Sequence, residues 1–210
     1  MTVPVDTAVQ QALQELQDGG LVLHPTGGLW GLAADPLNPD AMNRLRMAKW
    51  IKPGPRPFVL LVEPGWISTV GDSDRLPADT VARIIRLIAQ FWPGGLTLVL
   101  PARPEIPADI CLFGPNGPTV AIRCDDHPIA KQLCSGFGRP LISTSANRTG
   151  HPAAATLNDV SEEIRANALV LDVLPRPTGI GSTVLDLTIS PPVVRREGRV
   201  PTSELLSFFE

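Results

Sequence analysis

The residues of this chain best suited to chemistry are cations and hydroxyls. From Arg44 to Arg56 the sequence RLRMAKWIKPGPR holds Arg44, Arg46, Lys49, Lys52 and Arg56 and no carboxylate. The whole chain is slightly acidic, with a formal charge of -3 and a pI near 5.6. A local run of one sign on a chain of the other sign is most often a solvated face. Converging on one point, the same charges would hold a phosphorylated ligand. Three further motifs put neutral polar groups where a strand-like run meets a loop. They are HPTGG with Thr26, STSAN with Ser143, Thr144, Ser145 and Asn147, and GSTVLD with Ser182 and Thr183. Such residues also make turns and caps. Together with the cationic run, they outline a cleft with cations for phosphate and hydroxyls for a small substrate.

Other chemistries find no support. GxxxxGK[ST], GxGxxG and GxSxG are all absent. His24, His127 and His151 are isolated, so each reads as a structural or loop residue and no metal site is expected. Cys111, Cys124 and Cys134 are odd in number and lack CxxC spacing, which suits a reducing compartment. The N-terminus has no signal-peptide core, and no apolar run reaches the ~18 residues of a membrane span. The expectation is a soluble, cytoplasmic protein. Trp50 inside the basic run could stack a nucleobase, but the pI and an aromatic content of 5% count against broad nucleic-acid binding.

The elements that must position these groups follow from periodicity. Helices are expected from Asp6 to Gln17 and from Ala41 to Lys49. Another runs from Asp79 to Phe91, with Val81, Ile84, Ile85 and Ile88 inward, and others cover HPIAKQLC and Thr202 to Phe208. Thr156 starts one more, with Asp159 completing a capping box. Strands are expected at Leu21 to His24, Phe58 to Val62, LTLVL, TVAIR, PLIST, Ala168 to Val173 and Ser182 to Leu187, with another beginning at Val193. PTGGLWG reads as a turn, and KPGPRP and Ala102 to Pro118 as loops. The alternation gives an α/β class. Strands that follow one another directly imply a mixed sheet, and the chain reads as one domain over 1–210.

PTGGLWGLAADP, Lys49 to Phe58, FWPGGLTLVLP, TVAIR, PLISTSANRTGHP, GSTVLD and RREG follow one another in the order of the YrdC/Sua5 family. The resemblance spans about Leu21 to Val200 and is to the short form, without an extra C-terminal domain. It implies a twisted mixed sheet with flanking helices around a large, positively lined cleft. It also implies a nucleotidyltransferase reaction: L-threonine, bicarbonate and ATP, with Mg2+, give threonylcarbamoyl-AMP and pyrophosphate. That is the first step of N6-threonylcarbamoyladenosine formation at position 37 of tRNA. The implied partners are the downstream tRNA threonylcarbamoyl-transfer machinery, with room for weak tRNA binding.

By resemblance, Lys49, Lys52, Arg56, Thr119, Ser145, Asn147 and Arg196 would contact ATP, Lys49 and Lys52 by positioning and charge stabilisation. Thr26, Arg123, Ser143 and Ser182 would contact threonine, and Arg195 would be a bystander to Arg196. No enzyme nucleophile is implied. The chain departs from the family pattern at Gly27, where a glutamate is usual, and at KWIKP, where Lys52 stands for an arginine. Lysine lacks the bidentate fork of arginine, whereas Gly27 and Gly28 could offer N–H groups as an anion nest. A histidine often found near Leu61 is absent as well. These departures leave two other readings open: an enzyme forming a different carbamoyl-adenylate, and an RNA-binding module without synthase activity.

Overall fold

A computed structural model describes residues 4–52 and 54–209; the first three residues, Pro53 and Glu210 lie outside the described set. The strands are β1 (Val22–Pro25), β2 (Trp30–Ala34), β3 (Val59–Leu61), β4 (Leu96–Pro101), β5 (Leu112–Gly114), β6 (Gly117–Arg123), β7 (Leu141–Ser145), β8 (Leu169–Val170), β9 (Thr183–Asp186) and β10 (Val193–Arg196). The helices are α1 (Val5–Gln17), α2 (Pro39–Ala48), α3 (Ile67–Val70), α4 (Ala78–Phe91), α5 (Pro128–Phe137), α6 (Glu162–Ala166) and α7 (Thr202–Leu206). All ten strands join one sheet in the order β10-β9-β4-β6-β3-β7-β2-β1-β8, with β5 beside β6. β1/β8, β3/β6 and β4/β9 are parallel and the other pairs antiparallel. The sheet is therefore mixed, as expected.

Side chains alternate across a sheet, and here the two faces differ in kind. Leu32, Leu60, Leu98, Ile122 and Ile142 share one large core with Leu45 of α2 and Leu87 of α4. On the opposite face, Val22, Ala33 and Leu141 pack with Val9, Leu13 and Leu16 of α1 and with Ile129, Leu133 and Phe137 of α5. Farther along that second face the same strands carry His24, Gly31, Val59, Arg123, Ser143 and Ser145.

Local signals explain the helices that hold the two layers. α2 starts where the Asn38 side chain accepts from the backbone N–H groups of Asp40 and Ala41, with Pro39 in its first turn. Its buried stripe is Ala41, Met42, Leu45 and Ala48. α5 starts at His127, whose ring Nδ1 accepts from the Ile129 N–H, and ends at Gly138 in the left-handed region.

Four local expectations change. WGLAA is a strand rather than part of a turn, pairing with both β1 and β7. All five of its residues are buried, so it shows no period-2 alternation. Ile85 is 65% exposed; α4 instead buries Thr80, Ile84 and Leu87. The 102–118 segment is only partly loop. It contains β5, which pairs with β6, and it buries Ile110 and Cys111 beneath. The capping box at Thr156 and Asp159 forms as expected, but it opens only a single 3-10 turn, and α6 begins later at Glu162.

Candidate functional site

The uncovered part of the second sheet face holds a cavity of about 150 Å³. Thr26, Arg123, Ser143, Ser145, Ser182 and Arg196 line it, together with Trp30, Gly31 and Asp125. The sequence had pointed to strand-end loops; the cavity instead lies largely across the middle strands. β2 pairs with β7 so that Gly31 lies beside Ser145 and Ala33 beside Ser143. Ser143 and Ser145, two apart, therefore share a face, and Gly31 leaves the space above them open.

Arg123 ends β6 and is nearly buried. Its Nε donates to the Gly94 carbonyl at 2.8 Å, and its Nη2 lies 2.9 Å from Asp125 Oδ2. That last pair is close but lacks hydrogen-bond geometry, so both atoms remain buried without a hydrogen-bond partner. Burial pulls the Arg123 pKa down, while Asp125 and Asp126 push it back up. Asp125 Oδ1 accepts from the N–H groups of Gly27 and His127, at 2.9 and 2.8 Å. One carboxylate thus ties the β1–β2 turn, the start of α5 and Arg123 together. Sequence reasoning missed it; the only signal was its place two residues beyond Arg123.

Arg196 is the contrasting cation. Its guanidinium donates to the Ser182 carbonyl, at 2.8 Å from Nη2, and no carboxylate pairs with it among the described ion pairs. Its neighbour Arg195 turns the other way and binds Asp186 Oδ2 at 2.8 Å. Desolvation lowers the Arg196 pKa. Gly198 lets this segment close in, because a Cβ there would stand 2.2 Å from the Gly181 carbonyl. The Ser182 hydroxyl is 2.7 Å from that of Thr97. Thr26 uses its hydroxyl locally, donating to the Leu29 carbonyl at 2.7 Å and accepting from the Gly28 and Leu29 N–H groups, so it shapes the turn that forms one wall.

The other expected residues do not line this cavity. Lys49 is buried at the end of α2, and its ammonium donates to the carbonyls of Ser145 and Asn147, the latter at 2.7 Å. Desolvation first, then repulsion from Arg56, lowers its pKa to about 8. Its own carbonyl receives Thr149 N–H and hydroxyl. Lys49 therefore fastens the SAN loop to α2. The Asn147 amide donates to the His151 carbonyl and accepts from the Ser145 hydroxyl. Thr119 shares the face of Arg123 but sits four residues, ~13 Å, along β6, donating to the Leu112 carbonyl. Lys52 and Arg56 are exposed on the loop outside the cavity.

The rest of the cationic run divides in the same way. Arg46 clips the loop by donating to the carbonyls of Gly54 and Asp109 and to the Asp109 carboxylate, while Arg44 is exposed. Trp50 is 62% exposed, but the Arg148 guanidinium lies 4.4 Å from its ring centre and its N–H donates to Glu163. The indole is thus engaged within the chain. At position 27 a Cβ would stand 1.9 Å from Asp126 Oδ1 and 2.5 Å from Arg199 Nη1. Arg199 grips Asp126 with two hydrogen bonds, at 2.9 and 2.6 Å, and holds its carboxyl below the usual range. The space a glutamate would enter is already filled by an ion pair.

Mixed-sheet fold, motif order and this cavity point to one family. The chain belongs to the Sua5/YciO/YrdC family, whose profile, described as "Telomere recombination", matches residues 14–198. It is 36% identical over 171 residues to the threonylcarbamoyl-AMP synthase of Alkalilimnicola ehrlichii, covering 80% of this chain and 84% of that protein. It is 30% identical over 201 residues to the threonylcarbamoyl-AMP synthase of Bacillus subtilis, covering 95% of this chain but only 56% of the relative. The structure of Pyrococcus abyssi Sua5 complexed with L-threonine superposes with a TM-score of 0.84 at 30% identity, over 99% of this chain and 58% of that one. The chain thus spans little more than half the length of the Bacillus and Pyrococcus proteins.

Proposed function

We propose that the chain is a threonylcarbamoyl-AMP synthase, joining L-threonine, bicarbonate and ATP into threonylcarbamoyl-AMP with release of pyrophosphate. The observation that carries this reading is the pairing, in one cavity, of Arg196, which has no carboxylate partner among the described residues, with Arg123 and the hydroxyls of Ser143, Ser145 and Ser182. The relatives' names and the shared fold support it.

In this reading the threonine amine and bicarbonate form a carbamate, which attacks the α-phosphate of ATP. Rate comes from positioning and from neutralising the leaving pyrophosphate, without an enzyme nucleophile. Arg196 and Ser145 face the nucleotide, while Arg123, Ser143 and Ser182 hold threonine beside the turn shaped by Thr26. Lys49 and Asn147 act by holding the SAN loop. Lys52 and Arg56 reach triphosphate from the rim, and Thr119 lies at the far end of the same face. Mg2+ would arrive with the nucleotide. Such an ion is commonly held mainly by phosphates and water. The product would pass to the tRNA threonylcarbamoyl-transfer machinery, in the cytoplasm. Among the described residues no helix is long and apolar enough to cross a membrane.

The test is pyrophosphate release with ATP, Mg2+, bicarbonate and each of several amino acids. Threonine-dependent release supports the reading. Release with a different amino donor alone would replace it with a related carbamoyl-adenylate synthase, and no release from folded protein would overturn both.

A further inference from the structure

His24 and Ser143 sit on strands that do not touch. β1 carries His24, β7 carries Ser143, and β2 runs between them. His24 lies opposite Gly31 of β2. Above that glycine, His24 Nε2 reaches Ser143 Oγ at 3.1 Å. A Cβ at position 31 would stand 2.7 Å from Ser143 Oγ and 3.0 Å from His24 Nε2. The bridge therefore exists only because residue 31 has no side chain.

The direction of this hydrogen bond is fixed by the other ring nitrogen. His24 Nδ1 is 3.1 Å from the Pro25 carbonyl, which can only accept. Nδ1 therefore carries the proton of the neutral imidazole, Nε2 offers a lone pair, and the Ser143 hydroxyl must donate into it. The imidazole is fully buried, and desolvation holds its pKa at about 4, with Asp125 raising it and His127 lowering it. The ring thus stays neutral near pH 7. With its hydrogen committed, Ser143 turns only lone pairs toward the cavity that it lines.

We propose that His24 is a positioning residue that makes the Ser143 hydroxyl an acceptor-only group, and that Ser143 thereby reads the side-chain hydroxyl of a β-hydroxy amino acid. This deepens the functional reading above and rests on it. An acceptor locked onto the amine would stabilise the ammonium form, which cannot attack bicarbonate. The side-chain hydroxyl takes no part in the reaction, so a fixed acceptor there costs nothing in reactivity. A site built to pair with a hydroxyl rejects the isostere lacking it, because its own polar group is then left unpaired.

Two measurements test this on the full chain. Long-range 1H–15N correlation of 15N-histidine-labelled protein reads the tautomer without any ligand. The Nδ1–H form of His24 is expected; an Nε2–H form overturns the proposal. Titration calorimetry then compares L-threonine with L-valine in the parent, His24→Leu and His24→Gln proteins. The parent should prefer threonine by about 10–100-fold. His24→Leu should cut that preference by about tenfold, and His24→Gln, which can place an oxygen acceptor near Nε2, should restore most of it. Equal affinities in the parent, or an unchanged preference in folded His24→Leu, sink this inference alone. No binding of either amino acid sinks the functional reading and this inference with it.

Discussion

The two faces of the central sheet are made by the same strands and do opposite work. On β7, Ile142 points into the large core while Ser143 and Ser145 line the cavity. On β3, Leu60 is core and Val59 and Leu61 border the cavity. On β6, Ile122 is core while Arg123 reaches the cavity. The period of two lets each strand present a dry face and a polar face without an extra element. The dry face draws its stability from apolar burial. Beyond the apolar cluster that α1 and α5 cover on the other face, its cavity stretch draws its order from specific bonds, such as Asp125 to the Gly27 and His127 N–H groups and Lys49 to the SAN loop. Damage to the first should appear as lost stability, and damage to the second as lost affinity.

Leu60→Ala should break this contrast most severely on the dry side. Leu60 is 1% exposed, so about 2–5 kcal/mol of stability should go, read as a lower urea midpoint, while threonine affinity of the folded fraction stays near parental. If affinity fell in step with stability, the two faces would not be separable. Lys49→Ala comes next. It leaves the Ser145 and Asn147 carbonyls without their buried donor, at about 1–3 kcal/mol. Because the SAN loop loosens, KM for ATP should also rise; an unchanged KM would reduce Lys49 to a purely structural role.

The pH dependence of stability isolates one residue of the polar face. The folded pKa of His24 is lowered from 6.5 to about 4, so between those values the unfolded chain binds more protons. Its contribution is present above pH 6.5 and is lost as pH falls toward 4. About 2 kcal/mol should disappear between pH 7 and pH 5. Urea unfolding of His24→Gln at the same two pH values should show a flatter response by that amount. An identical slope would mean that His24 is not a buried neutral imidazole. Smallest of all, Arg44→Ala should change the melting temperature and pyrophosphate release hardly at all, within about 0.5 kcal/mol, because Arg44 is an exposed charge on α2.

This contrast also decides what could be read from the sequence. The apolar stripes of α1, α2 and α5 announced themselves, because a helix half-buried on one side has a clear period. β2 did not, because WGLAA is buried throughout and gives no alternation. Ile85 misled because α4 places it outward although its neighbour Ile84 is buried. In the site, Arg123, Ser143, Ser145, Ser182 and Arg196 were legible from motifs, and they line one cavity. Lys49 and Asn147 were legible as special, but the sequence could not tell a ligand contact from a clasp on a loop. Asp125 and the His24–Ser143 bridge could not be read, since both depend on knowing which strands lie side by side. The cationic run that looked like one feature became several, with Arg46 clipping a loop, Lys49 buried, and Lys52 and Arg56 exposed.

The most direct test of the polar face as a synthase site is threonine-dependent pyrophosphate release by the parent and Arg196→Ala proteins. Among the described residues the Arg196 side chain hydrogen-bonds only to the carbonyl and hydroxyl of Ser182, so its removal should leave the fold intact. The prediction is release that requires threonine, bicarbonate and ATP together and falls on the order of 100-fold in Arg196→Ala, with an unchanged melting temperature. Release that is independent of threonine, or equally fast without Arg196, would contradict it.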